Sequence, residues 1–329
     1  MRDPQVSVVV PTRDRRRLLA ETLGSVLRQR GVDLEVVLVD EASTDADAVA
    51  YLAAAAEQPG IRVVRHEQAR GVAEAYNAGI RNARGPWVAF CDDDDLWAPD
   101  KLERQLAALA AVPGAEWCCT GAVDVDSEDT RILGWQGPPP THDLHRRLLT
   151  EYVIPAARST VLVSRARLMQ VGEFQARLAH TDDWDMWVRL AAVTPLATVD
   201  APLAAYRRHR ASMMHTGFRG SGATALFAQE HAETRARLGL EFPYETDQLR
   251  KSAFMALESG HRAAAVRSYL RLSLAERRPK LAAVGLAALL SPTRTLEHHR
   301  GRLLREAPEG YLEAARAWLS QLEPAEWSA

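Results

Sequence analysis

Residues 86–97, PWVAFCDDDDLW, decide how this sequence is read. An apolar run, Trp87–Phe90, leads through Cys91 into Asp92, Asp93, Asp94 and Asp95. Adjacent carboxylates raise one another's proton affinity unless a cation neutralises them. At the end of a buried strand they predict a site, because open α/β sheets bind ligands outside the carboxyl ends of their strands. Hard oxygen donors suit Mg2+ or Mn2+, which take one or two protein carboxylates and complete their shell with phosphates and water. The expected ligand is a metal-bridged diphosphate. The competing reading of such a run is a solvated acidic turn.

Strands are expected at Val6–Val10, Leu34–Asp40, Ile61–His66, Pro86–Asp92 and Glu116–Val125. The first two are apolar on both faces, as strands covered by helices on each side must be. Between them Leu19, Leu23, Val26 and Leu27 fall at helical spacing, as do Val49, Leu52, Ala53 and Ala56. Asp100 is placed to cap a helix with the stripe Leu102, Leu106 and Leu109. This alternation predicts an α/β fold with a doubly wound, mostly parallel sheet and flanking helices. Gly134–Pro140 (GWQGPPP) reads as a loop, Ser159–Ser164 as a strand and Thr181–Ala192 as a helix. From Ala223 the pattern is helical and Ala-rich, broken at Pro243, Pro279 and Pro292. Small residues at Ala253, Ala256, Gly260 and Ala264 predict a helical hairpin packed on the main domain.

Each early strand ends in acceptors and hydroxyls rather than in a glycine-rich phosphate cradle. After the first come Pro11, Thr12, Arg13 and Asp14, and after the second Asp40, Glu41, Ala42 and Ser43. No G-x-x-x-x-G-K-[ST] occurs, and the chain has three lysines. Gly220, Gly222 and Ala225 match G-x-G-x-x-A but follow no strand, so ATP-type and dinucleotide-type cradles are disfavoured. Asp40 either accepts a hydrogen bond from a nucleobase imino group or caps its own turn. Asn77, taken alone, is a helix surface residue. A second acidic cluster, Thr181-Asp182-Asp183-Trp184-Asp185, opens a helix that Thr181 is placed to cap. Carboxylates there either answer the helix dipole or supply a general base.

Composition bounds the rest. The chain has 329 residues, 47% hydrophobic and 26% charged, which suits one large α/β domain with a smaller appendage. Net charge is −2, so no overall basic footprint for nucleic acid exists. Residues 201–329 hold 19 Lys+Arg against 13 Asp+Glu, whereas residues 1–200 hold 22 against 30. An acidic first part suits a bound cation, and a basic tail suits an anionic partner or a solvated helical surface. Cys91, Cys118 and Cys119 form no disulfide or zinc pattern. The amino-terminal apolar stretch is too short for a signal peptide, and the run Leu281–Leu290 is about half a bilayer span. A soluble, cytoplasmic protein without a transmembrane segment is expected.

Together the motifs resemble family-2 glycosyltransferases of the GT-A fold. The matching pieces are VSVVVPTRDR, LVDEASTD at 38–45, GVAEAYNAGIRNARG at 71–85, FCDDDDLWAPDKLERQ at 90–105 and TDDWDMWVRLA at 181–191, with YRRHRAS after it. The likeness spans residues 5–215 and leaves the tail uncovered. It implies a glycosyltransferase domain over 1–215, with a nucleotide-binding half at 1–126 and an acceptor-binding half at 127–215. A helical C-terminal region then occupies 216–329. By position, the resemblance puts Pro11, Thr12, Asp14, Asp40, Ser43, Asn77, Asp92 and Asp93 around the nucleotide sugar. It makes Asp94 the main metal ligand with Asp92 beside it, and His209 a further metal or diphosphate contact. Asp183, supported by Asp182, becomes the catalytic base. Asp14, Glu41 and Asp182 stand where Asn, Asp and Glu are commoner.

The implied activity is an inverting single displacement from a nucleoside-diphosphate sugar, assisted by Mn2+ or Mg2+. The acceptor would be a small molecule, a glycan or a lipid-linked species, and a homodimer is possible. Absence of Q-x-x-R-W implies a non-processive enzyme. Two rivals are a catalytically silent nucleotide-sugar-binding protein and a nucleotidyltransferase. The latter usually carries a glycine-rich basic loop where PTRDR stands.

Overall fold

Val6–Thr12 (VSVVVPT) is buried at every position and forms β1, the strand on which the first part of the structure is built. The computed structural model describes residues 3–208, 222–258 and 260–327. The chain divides into two units, Met1–His209 together with Pro308–Ala329, and Arg210–Ala307. In the first unit the strands after β1 are β2 (Leu34–Asp40), β3 (Ile61–Arg65), β4 (Trp87–Phe90), β5 (Leu96–Trp97), β6 (Trp117–Asp126), β7 (Ile132–Gln136), β8 (Val161–Ser164) and β9 (Leu196–Arg208). Helices α1 (Arg16–Val26), α2 (Ala46–Ala56), α3 (Val72–Asn82), α4 (Lys101–Ala111), α5 (Leu144–Leu148), α6 (Arg165–Val171) and α7 (Asp182–Ala191) connect them. The sheet order is β3-β2-β1-β4-β8-β6-β9-β5, with β7 added to β6.

This order places the switch point beside β1, because β2 and β3 extend one way and β4 the other. Thr12 lies opposite Asp40, Asp40 opposite Arg65, and Val9 opposite Phe90, so four carboxyl ends line up. Pro11 is tolerated in this central strand for a local reason. Val9 accepts from Cys91 N on the β4 side, so the missing N–H of Pro11, two residues on, also faces that side. There the ladder has ended at Phe90, and the turn Asp92–Asp95 leaves the sheet. β8 runs antiparallel to both β4 and β6. Its amino-terminal end therefore reaches the carboxyl end of β4 and delivers Arg158 and Ser159 beside Asp92.

Three local expectations are corrected. Gly134–Gln136 belong to β7 rather than to a loop, because tertiary partners outweigh composition. Trp135 packs edge-on against Tyr311 at 5.5 Å, and Gln136 Nε2 donates to Asp124 Oδ1 at 2.8 Å. Asp100 stands at the N-cap of α4 without capping it, since Leu102 N donates instead to Gln29 Oε1 at 2.9 Å. Thr181 likewise stands before α7 with no side-chain cap, its hydroxyl donating to Leu178 O at 3.1 Å.

The end of the chain also departs from the expected division at 216, because residues 308–327 pack in the first unit. In Tyr311–Leu319 the buried set Tyr311, Ala315, Trp318 and Leu319 has helical spacing. Trp318 Nε1 donates to Pro202 O at 2.9 Å, and Tyr51 Oη donates to Ala325 O at 2.7 Å with Trp327 stacked on its ring. The backbone passes so close to α1 that a Cβ on Gly24 would lie 2.0 Å from Glu323 O.

The second unit is helical: α8 (Ala223–Glu230), α9 (Ala232–Leu238), α10 (Tyr244–Glu258), α11 (Arg262–Glu276), α12 (Pro279–Leu290) and α13 (Pro292–Arg305), leaving Tyr311–Leu319 as α14 of the first. Its core joins Ala256, Leu257, Ala265, Ala288 and Leu296. Gly285 lets α12 approach α11 closely, since a Cβ there would sit 2.9 Å from Tyr269 Cβ. Pro279 begins α12, where its missing N–H costs nothing.

One buried cation in the first unit gives a pH test. Lys101 is fully buried, its ammonium 3.8 Å from the centre of the Trp97 ring and 2.8 Å from Gln105 Oε1. Burial pushes the amine down to about 7 from 10.5. Between those values the folded protein holds one proton fewer than the unfolded chain, so stability rises with pH across that window. Below about pH 7 the full cost of the buried charge is present. Lys101→Met is expected to raise stability at pH 6 by about 1–3 kcal/mol and to flatten the rise above pH 7. Urea denaturation across pH checks both effects, and a slope unchanged by the substitution would contradict the assignment.

Candidate active site

The aligned strand ends build the site one turn at a time. Asp14, at φ 53°, folds its carboxylate back over the next loop, where Oδ1 accepts from Thr44 N at 2.7 Å and Asp45 N at 2.8 Å. The Asp45 N–H bond is the main reason its carboxyl sits below the usual range. Asp14 N donates to Ser43 Oγ at 3.0 Å, which ties the β1 and β2 loops together. Asp40 Oδ1 accepts from Ser43 N at 2.9 Å, the turn-capping arrangement, and Oδ2 accepts from Arg65 at 2.7 Å. Glu41 and His66 pair, and the second Glu41 oxygen accepts from Arg70 N and Gly71 N at 2.8 and 2.7 Å.

The four aspartates after β4 diverge in role. Asp92 N donates to Ser159 Oγ at 3.1 Å, and Asp92 Oδ1 accepts from Tyr76 Oη at 2.6 Å. Asp93 accepts from Thr12 Oγ1 at 2.7 Å and from Arg15 at 2.9 Å. The same Arg15 nitrogen lies 2.9 Å from Asp94 Oδ2, so one guanidinium bridges two carboxylates. Asp95 turns inward, where Oδ1 accepts from Arg207 N at 3.2 Å and Oδ2 is buried without a hydrogen-bond partner. Burial, then repulsion from Asp94, pushes Asp93 up to about 7, and burial pushes Asp95 well above the ordinary carboxylate range. The cluster is short of positive charge even with Arg15 in place.

That shortage, and donors that are all hard oxygens, fit Mg2+ or Mn2+. Among the described residues no group of three or more His, Cys, Asp or Glu is placed to hold a metal ion by itself. A cation of this kind takes one or two protein carboxylates and completes its shell from phosphate and water. Asp94 and Asp92 are the residues that would hold it. His209 lies outside the described residues.

The second cluster faces the first across one buried guanidinium. Arg158, 5% exposed, pairs with Asp182 and interacts electrostatically with Asp183 and Asp92. Tyr76 and Phe174 flank it, their ring centres 5.0 and 5.4 Å from its Cζ. Asp183 Oδ2 accepts from Tyr152 Oη at 2.7 Å, and Oδ1 accepts from Trp184 N at 2.8 Å. Trp187, one turn on, stacks on Trp117 at 6.0 Å and anchors α7. Asn77 does not join the acids. Its amide donates to Phe174 O at 2.9 Å and accepts from Phe174 N at 2.8 Å, clamping α3 to the segment before α7.

Sequence reasoning passed over Arg158, Arg15, Tyr76 and Tyr152. A signal for Arg158 did exist, since an arginine three residues ahead of the apolar run Val161–Val163 enters a buried strand and needs an anion there. Removing that arginine should strand Asp182, which is wholly buried. Arg158→Met is expected to cost about 3–5 kcal/mol in urea unfolding. Adding Asp182→Asn should restore most of the loss, and a double variant no more stable than the single one would show that the pair is not coupled.

Known proteins resemble this chain in sequence and in fold. Residues 7–164 match the model of glycosyl transferase family 2. The succinoglycan biosynthesis protein ExoO of Rhizobium meliloti is 39% identical over 130 residues, 40% of this chain and 36% of that protein. The chain thus spans about a third of that relative's length. A mannosyltransferase of Pyrobaculum calidifontis, PcManGT, solved with GDP-Man and Mn2+, superposes with a TM-score of 0.54 at 23% identity, covering 98% of this chain and 89% of that one. TarS residues 1–349 of S. aureus, solved with UDP, superpose at 0.52 and 18% identity, covering 91% of each chain. At these identities the solved structures establish a GT-A fold, and within it residues 7–164 of this chain match glycosyl transferase family 2.

Proposed function

We propose that this chain is an inverting, non-processive glycosyltransferase that moves a sugar from a nucleoside-diphosphate sugar to an acceptor hydroxyl in one displacement. The observation that carries the reading is the pairing of two acidic clusters across Arg158. One cluster lies at the β4 end with hard donors for a cation–diphosphate. The other presents Asp183 at the start of α7. The UDP complex of TarS and the GDP-Man and Mn2+ complex of PcManGT support a nucleotide-sugar donor and a divalent cation. Bound Mg2+ or Mn2+ would supply positive charge to the departing diphosphate.

The chain's own residues do the rest. Thr12 and Arg15 fix Asp93 and Asp94, and Pro11, Asp14, Asp40 and Ser43 shape the pocket for base and ribose. Tyr152 Oη and Trp184 N hold the Asp183 carboxylate in one orientation, from which it takes the acceptor proton. One base and one displacement imply inversion at the sugar carbon. Residues 1–126 serve the donor, and 127–208 with the packed end of the chain serve the acceptor. Its cysteines are free and buried, which accords with a reducing cytoplasm.

Two measurements test this. Binding of UDP or GDP should weaken at least tenfold on EDTA treatment, and Asp94→Ala should reproduce the loss while leaving the melting temperature in place. Equal binding with and without divalent cation would remove the metal. Asp183→Asn keeps shape but cannot take a proton, so single-turnover transfer should fall roughly 10²–10⁴-fold with donor affinity nearly unchanged. Tight donor binding with no transfer from the unaltered protein, for any sugar nucleotide and acceptor, would favour the silent binding module instead.

A further inference from the structure

We propose that the α11–α12 hairpin of the second unit is a docking surface for an anionic lipid bilayer. In α11, Arg267, Leu270, Arg271 and Leu274 recur at spacings of three and four and so share one helical face. Leu270 is 39% and Leu274 80% exposed. In α12 Gly285 and Ala288 are buried, with Gly285 against Tyr269 of α11. That leaves Leu286, Leu289 and Leu290 outward, at 55, 48 and 82% exposure. Five leucines at 39% exposure or more within one helical hairpin are more apolar exposure than singly scattered surface residues account for.

Charge identifies the occupant. Between Arg262 and Leu290 the chain has six basic residues and one acid, Glu276. That acid is neutralised by Arg250 at 2.7 Å, with Arg278 at 3.6 Å. Arg277, Arg278 and Lys280 crowd the connection between the two helices. Across residues 210–307 basic groups outnumber acidic ones 16 to 9. A second copy of this face would bring like charges together, which disfavours self-association. An anionic leaflet instead meets both features, because leucines enter the headgroup boundary while arginines pair with lipid charge. The apolar run Leu281–Leu290 is too short to span a bilayer, and no helix among the described residues is long and apolar enough to cross one. The hairpin therefore lies on the surface.

The test is flotation of the full chain with vesicles of phosphatidylcholine alone or mixed with phosphatidylglycerol. Binding is expected to the mixed vesicles only, and to weaken as salt is raised. Arg267→Gln with Arg271→Gln should lower the partition coefficient about fivefold per arginine. Leu274→Ser with Leu290→Ser should lower it by roughly tenfold or more. Circular dichroism melting should stay unchanged, since both leucines are exposed. Failure to float with mixed vesicles, equal binding to neutral ones, or no effect of the leucine pair would overturn the proposal. So would a dimer in light scattering that Leu274→Ser dissociates, which would make the face a contact between copies. None of these outcomes depends on sugar transfer.

Discussion

Arg158 holds together two sets of like charges that would otherwise repel. Its guanidinium is almost wholly withdrawn from water, paired with Asp182 and within electrostatic reach of Asp183 and Asp92. A buried arginine alone would be prohibitive, and so would a buried aspartate. Each is tolerable only because the other is there, and the aromatic faces of Tyr76 and Phe174 complete the guanidinium's surroundings. The topology produces this placement. An antiparallel β8, inserted between β4 and β6, starts at the level where β4 ends, so the short segment leading into it, with Arg158 three residues ahead of Val161, emerges among the aspartates.

The acids at β4 show a complementary economy. Arg15 comes from the loop after β1, bridges Asp93 and Asp94, and is 30% exposed on its side chain. It is a cation reached from solvent, whereas Arg158 is sealed in. Arg15 offsets part of the negative charge that the four carboxylates bring together. The Asp93 carboxyl is pushed up to about 7 first by burial and then by repulsion from Asp94.

Local pattern carried the legible part of the fold. β2 spans Leu34–Asp40 as its continuous apolar run requires, and α7 begins one residue after the expected position. The acidic turn after β4 was legible because four like charges beside an apolar strand have few explanations. What stayed hidden depends on distant partners. Gln29 caps α4 in place of Asp100 because the fold brings it 73 residues across the sequence. Gly134–Gln136 become a strand because β6 lies beside them with an open edge, and a run of glycine and proline next to them conceals it. Asn77 sits on an ordinary helical pattern, yet its amide brackets a backbone segment 97 residues away.

The end of the chain shows the same limit more sharply. The stripe Tyr311, Ala315, Trp318, Leu319 is legible as amphipathic, but periodicity says only that a helix has a partner. The partner is identified by absence of volume elsewhere. Gly121 has no side chain, and a Cβ there would fall 1.9 Å from Tyr311 Oη. The tyrosine hydroxyl occupies that space and donates to Gln136 O at 3.0 Å. Gly24 makes the same allowance for the backbone at Glu323. Two glycines in the first half of the chain thus carry the imprint of its last twenty residues. A glycine inside a buried strand or helix, with no turn to explain it, is the sequence's record of a close approach by something far away.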